Sequence, residues 1–220
     1  MLPLIRSSFN STVMINYRLM RHSILIAGLC LFSNVQLFSQ SKFYGSLADS
    51  TITLTKQYVR YDPTYFKLDY PNGDVPSDRG VCTDVVIRAY RKMGIDLQRL
   101  VHEDMKANFA KYPKKWGLKS TDRNIDHRRV PNLMTFFGRK GITLPITSNP
   151  SDFLPGDIVC WNLGGAVTHI GIVVNRKSAD GVRHLIVHNI GSGQVMEDCL
   201  FNFTLIGHYR YGGGAQQIRH

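Results

Sequence analysis

Gly80-Val81-Cys82-Thr83-Asp84-Val85-Val86-Ile87-Arg88-Ala89-Tyr90 sets a cysteine at the point where a turn-rich loop gives way to a helix. Apolar and small residues at 82, 85, 86, 89, 90 and 93 recur at helical spacing, which predicts one buried face that Cys82 opens in its first turn. Unpaired amide N–H groups and the positive end of the helix dipole favour an anion there, and a cysteine supplies one as a thiolate. The same amides suit the oxyanion formed when a thiolate attacks a carbonyl. Packing is the competing account, because free cysteines are among the most buried residue types.

Working outward, Tyr70-Pro71-Asn72-Gly73-Asp74-Val75-Pro76-Ser77-Asp78-Arg79 reads as a loop whose Ser77 and Asp78 are expected to cap the Cys82 helix, with Gly94 ending it. A helix is expected from Leu47 to Tyr61, stopped before Pro63, and another from Leu97 to Tyr112, stopped by Pro113. A further helix is expected to begin at Pro131 and end at Gly141. From residue 155 the period changes. Ile158–Trp161, His169–Val174, His184–Asn189 and Gly207–Tyr211 are short β-rich runs between turn clusters. Helices first and strands later predict an α+β domain with N-terminal helices packed on an antiparallel β-sheet.

The 220 residues are 43% apolar, enough for one core, and carry a formal charge of +11. Arg18, Arg21 and His22 precede the apolar run Ile24–Phe32, which closes on Ser39-Gln40-Ser41. Residues 1–40 therefore read as a secretory signal, the run being too short to span a bilayer. Starting at Met14 or Met20 would give a more ordinary signal, so the start codon is open to question. Removing Arg6, Arg18 and Arg21 leaves residues 41–220, the expected single domain, at +8. An exported basic protein meets anionic envelope polymers and acidic peptides before nucleic acid, so a periplasmic or extracellular location is expected, with no stable membrane span after signal cleavage. Cys82, Cys160 and Cys199 remain; the last two are the pair that would leave Cys82 free, although each suits a core equally.

A nucleophilic cysteine needs a base, and the base needs a partner that holds its tautomer. His169 opens a strand, with Gly171 two residues on leaving room on the same face, and His188 closes the next apolar run. The two would meet if those strands are antiparallel neighbours. His188 and Asn189 point to opposite faces, so only one can be the third member. Asp84 would oppose a thiolate unless a cation such as Arg88 at i+4 pairs with it, the arrangement expected here. Asp78-Arg79 and His127-Arg128-Arg129 offer guanidinium groups for a substrate carboxylate. No P-loop or glycine fingerprint supports nucleotide binding, and His102-Glu103 lacks the second histidine of a zincin helix, Lys106 standing in its place. A metal hydrolase would need His127, His169, His188 and an aspartate to converge in space.

In chain order, Tyr70-Pro71-x-Gly73-x-x-Pro76, Cys82-Thr83-Asp84-Val85, Gly156-Asp157-Ile158-Val159, His169-Ile170-Gly171-Ile172 and Val187-His188 resemble the NlpC-type branch of the papain-like cysteine peptidases. Tyr61-Asp62-Pro63, Asp126-His127-Arg128-Arg129-Val130-Pro131-Asn132 and Gly207-His208-Tyr209-Arg210-Tyr211 resemble, more narrowly, an exported bacterial family of unknown function typified by YijF and placed in that superfamily. The resemblance implies a papain-like fold, a nucleophile at Cys82, a base at His169, an orienting residue at His188, and metal-free, cofactor-free hydrolysis of amide bonds in peptidoglycan stem peptides. Tyr70, Asp78, Arg79 and Asn189 are the accompanying substrate-binding candidates. Two features depart from the pattern: Cys-Ser-Gly is here Cys82-Thr83-Asp84, and about 55 extra residues before Gly156 must reshape the groove. An acyltransferase using the same thioester, and a wall-binding module without turnover, are the alternatives; the oligomeric state is not readable.

Overall fold

A computed structural model describes residues 40–212, so the expected signal peptide lies outside the described residues but for Gln40. Helix α1 covers residues 40–54. It is followed by a parallel pair, β1 (Arg60–Tyr61) and β2 (Arg79–Gly80), and by helices α2 (Cys82–Lys92), α3 (Leu97–Ala107) and α4 (Val130–Lys140). Six further strands follow among the described residues: β3 (Ile142–Thr143), β4 (Ile158–Asn162), β5 (Thr168–Lys177), β6 (His184–His188), β7 (Val195–Glu197) and β8 (Thr204–Arg210). They form one antiparallel sheet in the order β3-β8-β4-β5-β6-β7. The protein is thus α+β, with four helices and a six-stranded sheet among the described residues.

Side-chain alternation divides the core in two. Ile158 and Cys160 of β4, Ile170, Ile172 and Val174 of β5, and Val187 of β6 join the helices in the larger core. Val159, Trp161, Val173 and Ile186 face the other way, with Phe153, Cys199 and Leu200, in a smaller one. The sheet therefore separates Cys160 from Cys199, and both are free, as is Cys82. The bridge considered for the first two does not form.

Helix α2 is buried through every residue from Cys82 to Tyr90, which corrects the expectation of a single buried face. It packs on β5 while α3 and the 126–128 turn cover it, so its polar residues must find partners inside. Arg88 pairs with Asp74 at 3.1 Å and donates to the carbonyls of Val75, Pro76 and Arg79. It does not pair with Asp84, as the i+4 spacing suggested, because those acceptors already take up its guanidinium. Nor do Ser77 and Asp78 cap the helix. Val81 is the N-cap, and its own N–H donates to Asp84 Oδ2 at 2.7 Å.

Other boundaries moved for local reasons. Helix α1 already runs at Gln40, the first described residue, and ends at Leu54 instead of Tyr61, because Thr51, Thr53 and Thr55 turn their hydroxyls back on the carbonyls of Leu47, Ser50 and Ile52 and end the ladder. Helix α3 stops at Ala107, and a 3₁₀ turn at Phe109–Lys111 takes the chain on towards Pro113. The short edge strands β3 and β7 were not foreseen. The turn before β4 needs Gly156, whose φ is +87° and where a Cβ would lie 2.7 Å from the Tyr44 carbonyl oxygen.

Candidate active site

Cys82 is the first residue of α2 and lines a cleft of about 220 Å³ together with Tyr61, Trp116, Arg128, Arg129, Pro131 and Thr168. Its thiol is pushed up to about 12, chiefly by burial, while the amides of Ile170, Thr83 and Cys82 itself pull the other way. The helix terminus does offer the sulfur donors, as expected, but burial outweighs them, so the resting group is a thiol.

Strands β5 and β6 are antiparallel neighbours, and the His169 and His188 side chains meet as their spacing predicted, with Nε2 of His169 2.9 Å from Nδ1 of His188. Gly171 makes this possible. A Cβ at 171 would lie 2.7 Å from Ile186 Cγ2 and 3.2 Å from His188 Cβ. Trp161 stacks on the His169 ring with centroids 5.6 Å apart. The outer nitrogen of His188, Nε2, lies 3.0 Å from Glu197 Oε2 and 3.5 Å from Cys199 Sγ.

Donor and acceptor roles follow from the carboxylate end. Glu197 accepts, so His188 carries its proton on Nε2 and offers Nδ1 as an acceptor; His169 then donates from Nε2, and its Nδ1 keeps a bare lone pair. Burial, then His188, pushes His169 down to about 3, so the ring is neutral and can accept a proton only as another group gives one up. Among the described residues no hydrogen bond joins Cys82 Sγ to His169: Thr168 lines the cleft and the Ile170 amide meets the sulfur, while the His169 ring between them turns to the other face of β5, onto Trp161 of the smaller core, so the expected meeting of sulfur and imidazole is not found.

The other sequence candidates lie elsewhere. Tyr70 packs edge-on against His102 with Arg123 over its face. Arg79 pairs with Asp62 at 3.3 Å and with Asp78 at 3.7 Å. Asn189 reaches the Gly80 carbonyl and accepts from the Gly191 amide, bracing its loop rather than facing His169. None of Tyr70, Asp78, Arg79 and Asn189 lines the cleft. Among the described residues the donors that converge closely enough for a metal ion are His188, Glu197 and Cys199, within 4.8 Å of one another, rather than the His127, His169 and His188 set weighed above. A metal there would compete with Glu197 for the outer nitrogen of His188.

Residues 48–211 match a domain of unknown function, DUF1287. The chain belongs to the DUF1287 family. It is 58% identical over 166 residues, 76% of this chain and 80% of the relative, to the uncharacterized protein YijF of Escherichia coli (strain K12). No solved structure matches it. In this DUF1287 chain Thr83 and Asp84 have partners far along the sequence. Thr83 donates to the Arg128 carbonyl at 3.1 Å, and Asp84 takes the Arg128 guanidinium through two oxygens, each at 3.0 Å. Thr83 and Asp84 therefore bind the segment between α3 and α4 to the start of α2, and residues of that segment and of the start of α4, Trp116, Ile125 and Arg128–Pro131, line the cleft. Sequence reasoning missed Glu197, whose strand is three residues long and carries no apolar pattern, and it left Arg128 and Arg129 undistinguished.

Proposed function

We propose that this DUF1287 chain is an exported, papain-like (NlpC-type) cysteine hydrolase that cleaves amide bonds in envelope peptides, peptidoglycan stem peptides above all. Its support is a set of parts in the order that chemistry needs: a cysteine at a helix N-terminus, a histidine at the head of a strand, and a second histidine on the neighbouring strand. One observation carries the proposal. The hydrogen-bonded line Glu197–His188–His169 leaves an unprotonated nitrogen on a residue whose successor, Ile170, directs its amide at the Cys82 sulfur.

In the reaction, His169 Nδ1 takes the Cys82 proton as sulfur attacks the acyl carbon, and the amides at the start of α2 bear on the oxyanion. The protonated imidazole passes its proton to the leaving amine, and an acyl-enzyme remains. Water then gives a proton to His169 and cleaves the thioester. His188 holds the ring throughout. In the free protein the His169 ring faces the smaller core with Trp161, so this transfer requires the start of β5 to turn towards Cys82 when substrate binds.

A wall-binding module without turnover is the competing account, favoured by the high-lying thiol and the missing sulfur–imidazole hydrogen bond. Purified protein incubated with muropeptides separates the two. Release of a new amine that Cys82→Ala abolishes, with the melting temperature retained, supports the hydrolase; retention on peptidoglycan with no product, or undiminished cleavage by Cys82→Ala, overturns it. Products that change when an amine acceptor is added would make the chain an acyltransferase on the same thioester.

A further inference from the structure

Two adjacent arginines enter the Cys82 cleft, and their surroundings give them different tasks. Arg128 is spent on the fold: its guanidinium bonds both Asp84 oxygens and reaches the carbonyls of Thr64 and Asp62. Arg129 has none of this. No hydrogen bond among the described residues engages its guanidinium, and its Nη1 is buried without an acceptor. The nearest carboxylate oxygen, Asp126 Oδ1, is 3.7 Å away, beyond hydrogen-bond range, and is itself buried without a donor. The Trp116 ring lies beneath the group, its centroid 4.1 Å from Arg129 Cζ.

The backbone adds to the same field. Cys82 is the first residue of α2, Val130 the first of α4, and Pro131 follows it; all three line the cleft. Two eleven-residue helices thus present their positive ends to one opening. Asp84, beside this opening, is held by Arg128. A fixed guanidinium with five donors and no acceptor, beside two helix N-termini, is complementary to a carboxylate.

We propose that Arg129, stacked on Trp116, is a substrate-binding residue that takes a free carboxylate of the acyl donor, so that the peptides cleaved at Cys82 are acidic ones. This rests on Cys82 acting as nucleophile. Arg129 sits one residue past the Arg128 carbonyl that Thr83 holds, so the carboxylate is fixed relative to the start of α2. Asp126 keeps the empty site from carrying a bare charge and gives way to a better-placed anion; its own carboxyl is pushed up to about 6, chiefly by burial, which weakens its hold on Arg129.

The test uses the stem tetrapeptide L-Ala-γ-D-Glu-meso-diaminopimelate-D-Ala and the same peptide with every carboxylate converted to a carboxamide. Calorimetric titration into Cys82→Ala protein is expected to show the acidic form bound about thirtyfold more tightly. Adding Arg129→Gln should bring that ratio to within about twofold of one, and Arg129→Lys should restore part of it, a point charge lacking the fork. Trp116→Ala, which keeps the charge but removes the platform, should also lower the ratio. Equal binding of both peptides by Cys82→Ala, or binding of neither, overturns the carboxylate site. Turnover by unsubstituted protein separates the two proposals. Discrimination in binding with no cleavage of either peptide leaves the carboxylate site standing and removes the hydrolase, whereas cleavage of both at equal kcat/KM does the reverse.

Discussion

The Cys82 thiol, pushed up to about 12, and the His169 imidazole, pushed down to about 3, owe their positions first to burial. Both are neutral at pH 7, so in the proposed reaction proton transfer would accompany attack instead of preceding it. Alkylation of the free protein by iodoacetamide is accordingly expected to rise with unit slope in log rate between about pH 7 and 10, with no plateau on the acid side. A plateau below pH 7 would show a standing ion pair. Glu197 acts one bond further out, through His188. In Glu197→Gln the side-chain amide can donate to His188 Nε2, reversing both tautomers and placing the His169 proton on the nitrogen meant to accept one. The expected loss in kcat is roughly tenfold to a hundredfold, as for other outer partners of histidines, with KM little changed. An unaltered kcat would show that His188 holds His169 without help.

At the scale of elements, α2 is a helix that could not be buried without the segment that follows it. Asp84 and Arg128 are both nearly sealed from solvent, their side chains 3% and 2% exposed, and each would be an uncompensated charge alone. Arg128→Ala is expected to destabilise the protein by about 3–5 kcal/mol in urea unfolding. Exchanging both partners for apolar residues should recover much of that, because the pair is required mainly by its own burial. The double variant would still be expected to lose activity: the Arg128 guanidinium anchors the wall that carries Arg129. Stability and activity would then separate, which a purely structural ion pair would not allow.

Over the whole molecule, buried titratable groups set the pH range of the fold. Burial, followed by the Arg128 charge, pushes His127 down to about 3 from an ordinary 6.5. Between those values the unfolded chain binds a proton that the native chain does not, so stability is lost as pH falls from 6.5 towards 3. Asp126 runs the other way: raised from 3.8 to about 6, it makes a contribution that is lost as pH rises through that window. Asp104 is buried, yet hydrogen bonds from Arg139, Tyr112 and Lys140 hold it at about 2, so its contribution fades only as pH falls from 3.8 towards 2. Because the two windows overlap and oppose, the His127 effect is read in Asp126→Asn, whose melting temperature is expected to fall on acidification from pH 6.5 to 4, and less steeply once His127→Gln is added; Asp126→Asn itself should raise the melting temperature at pH 7 relative to pH 4. A melting temperature of Asp126→Asn that stays flat from pH 6.5 to 4 would show that His127 titrates normally.

Local pattern alone made α2, α4 and the four longer strands legible, because their apolar spacing, Gly94, Gly141 and Pro131 act within a few residues of where they stand. It also placed His169 and His188 as partners, since alternation and antiparallel pairing leave little choice once Gly171 is read as a gap beside an imidazole. What it could not supply were pairings across tens of residues. Asp84 pointed to Arg88, four residues away, and went instead to Arg128, 44 residues on, because burial on every side of α2 brought the closer guanidinium within reach of other acceptors. Glu197 on a three-residue strand, the assignment of Arg128 to the fold and Arg129 to the cleft, and the height of the Cys82 thiol all depend on how deeply each group lies and on what faces it. Those are properties of packing, which a linear chain specifies only once its distant segments have met.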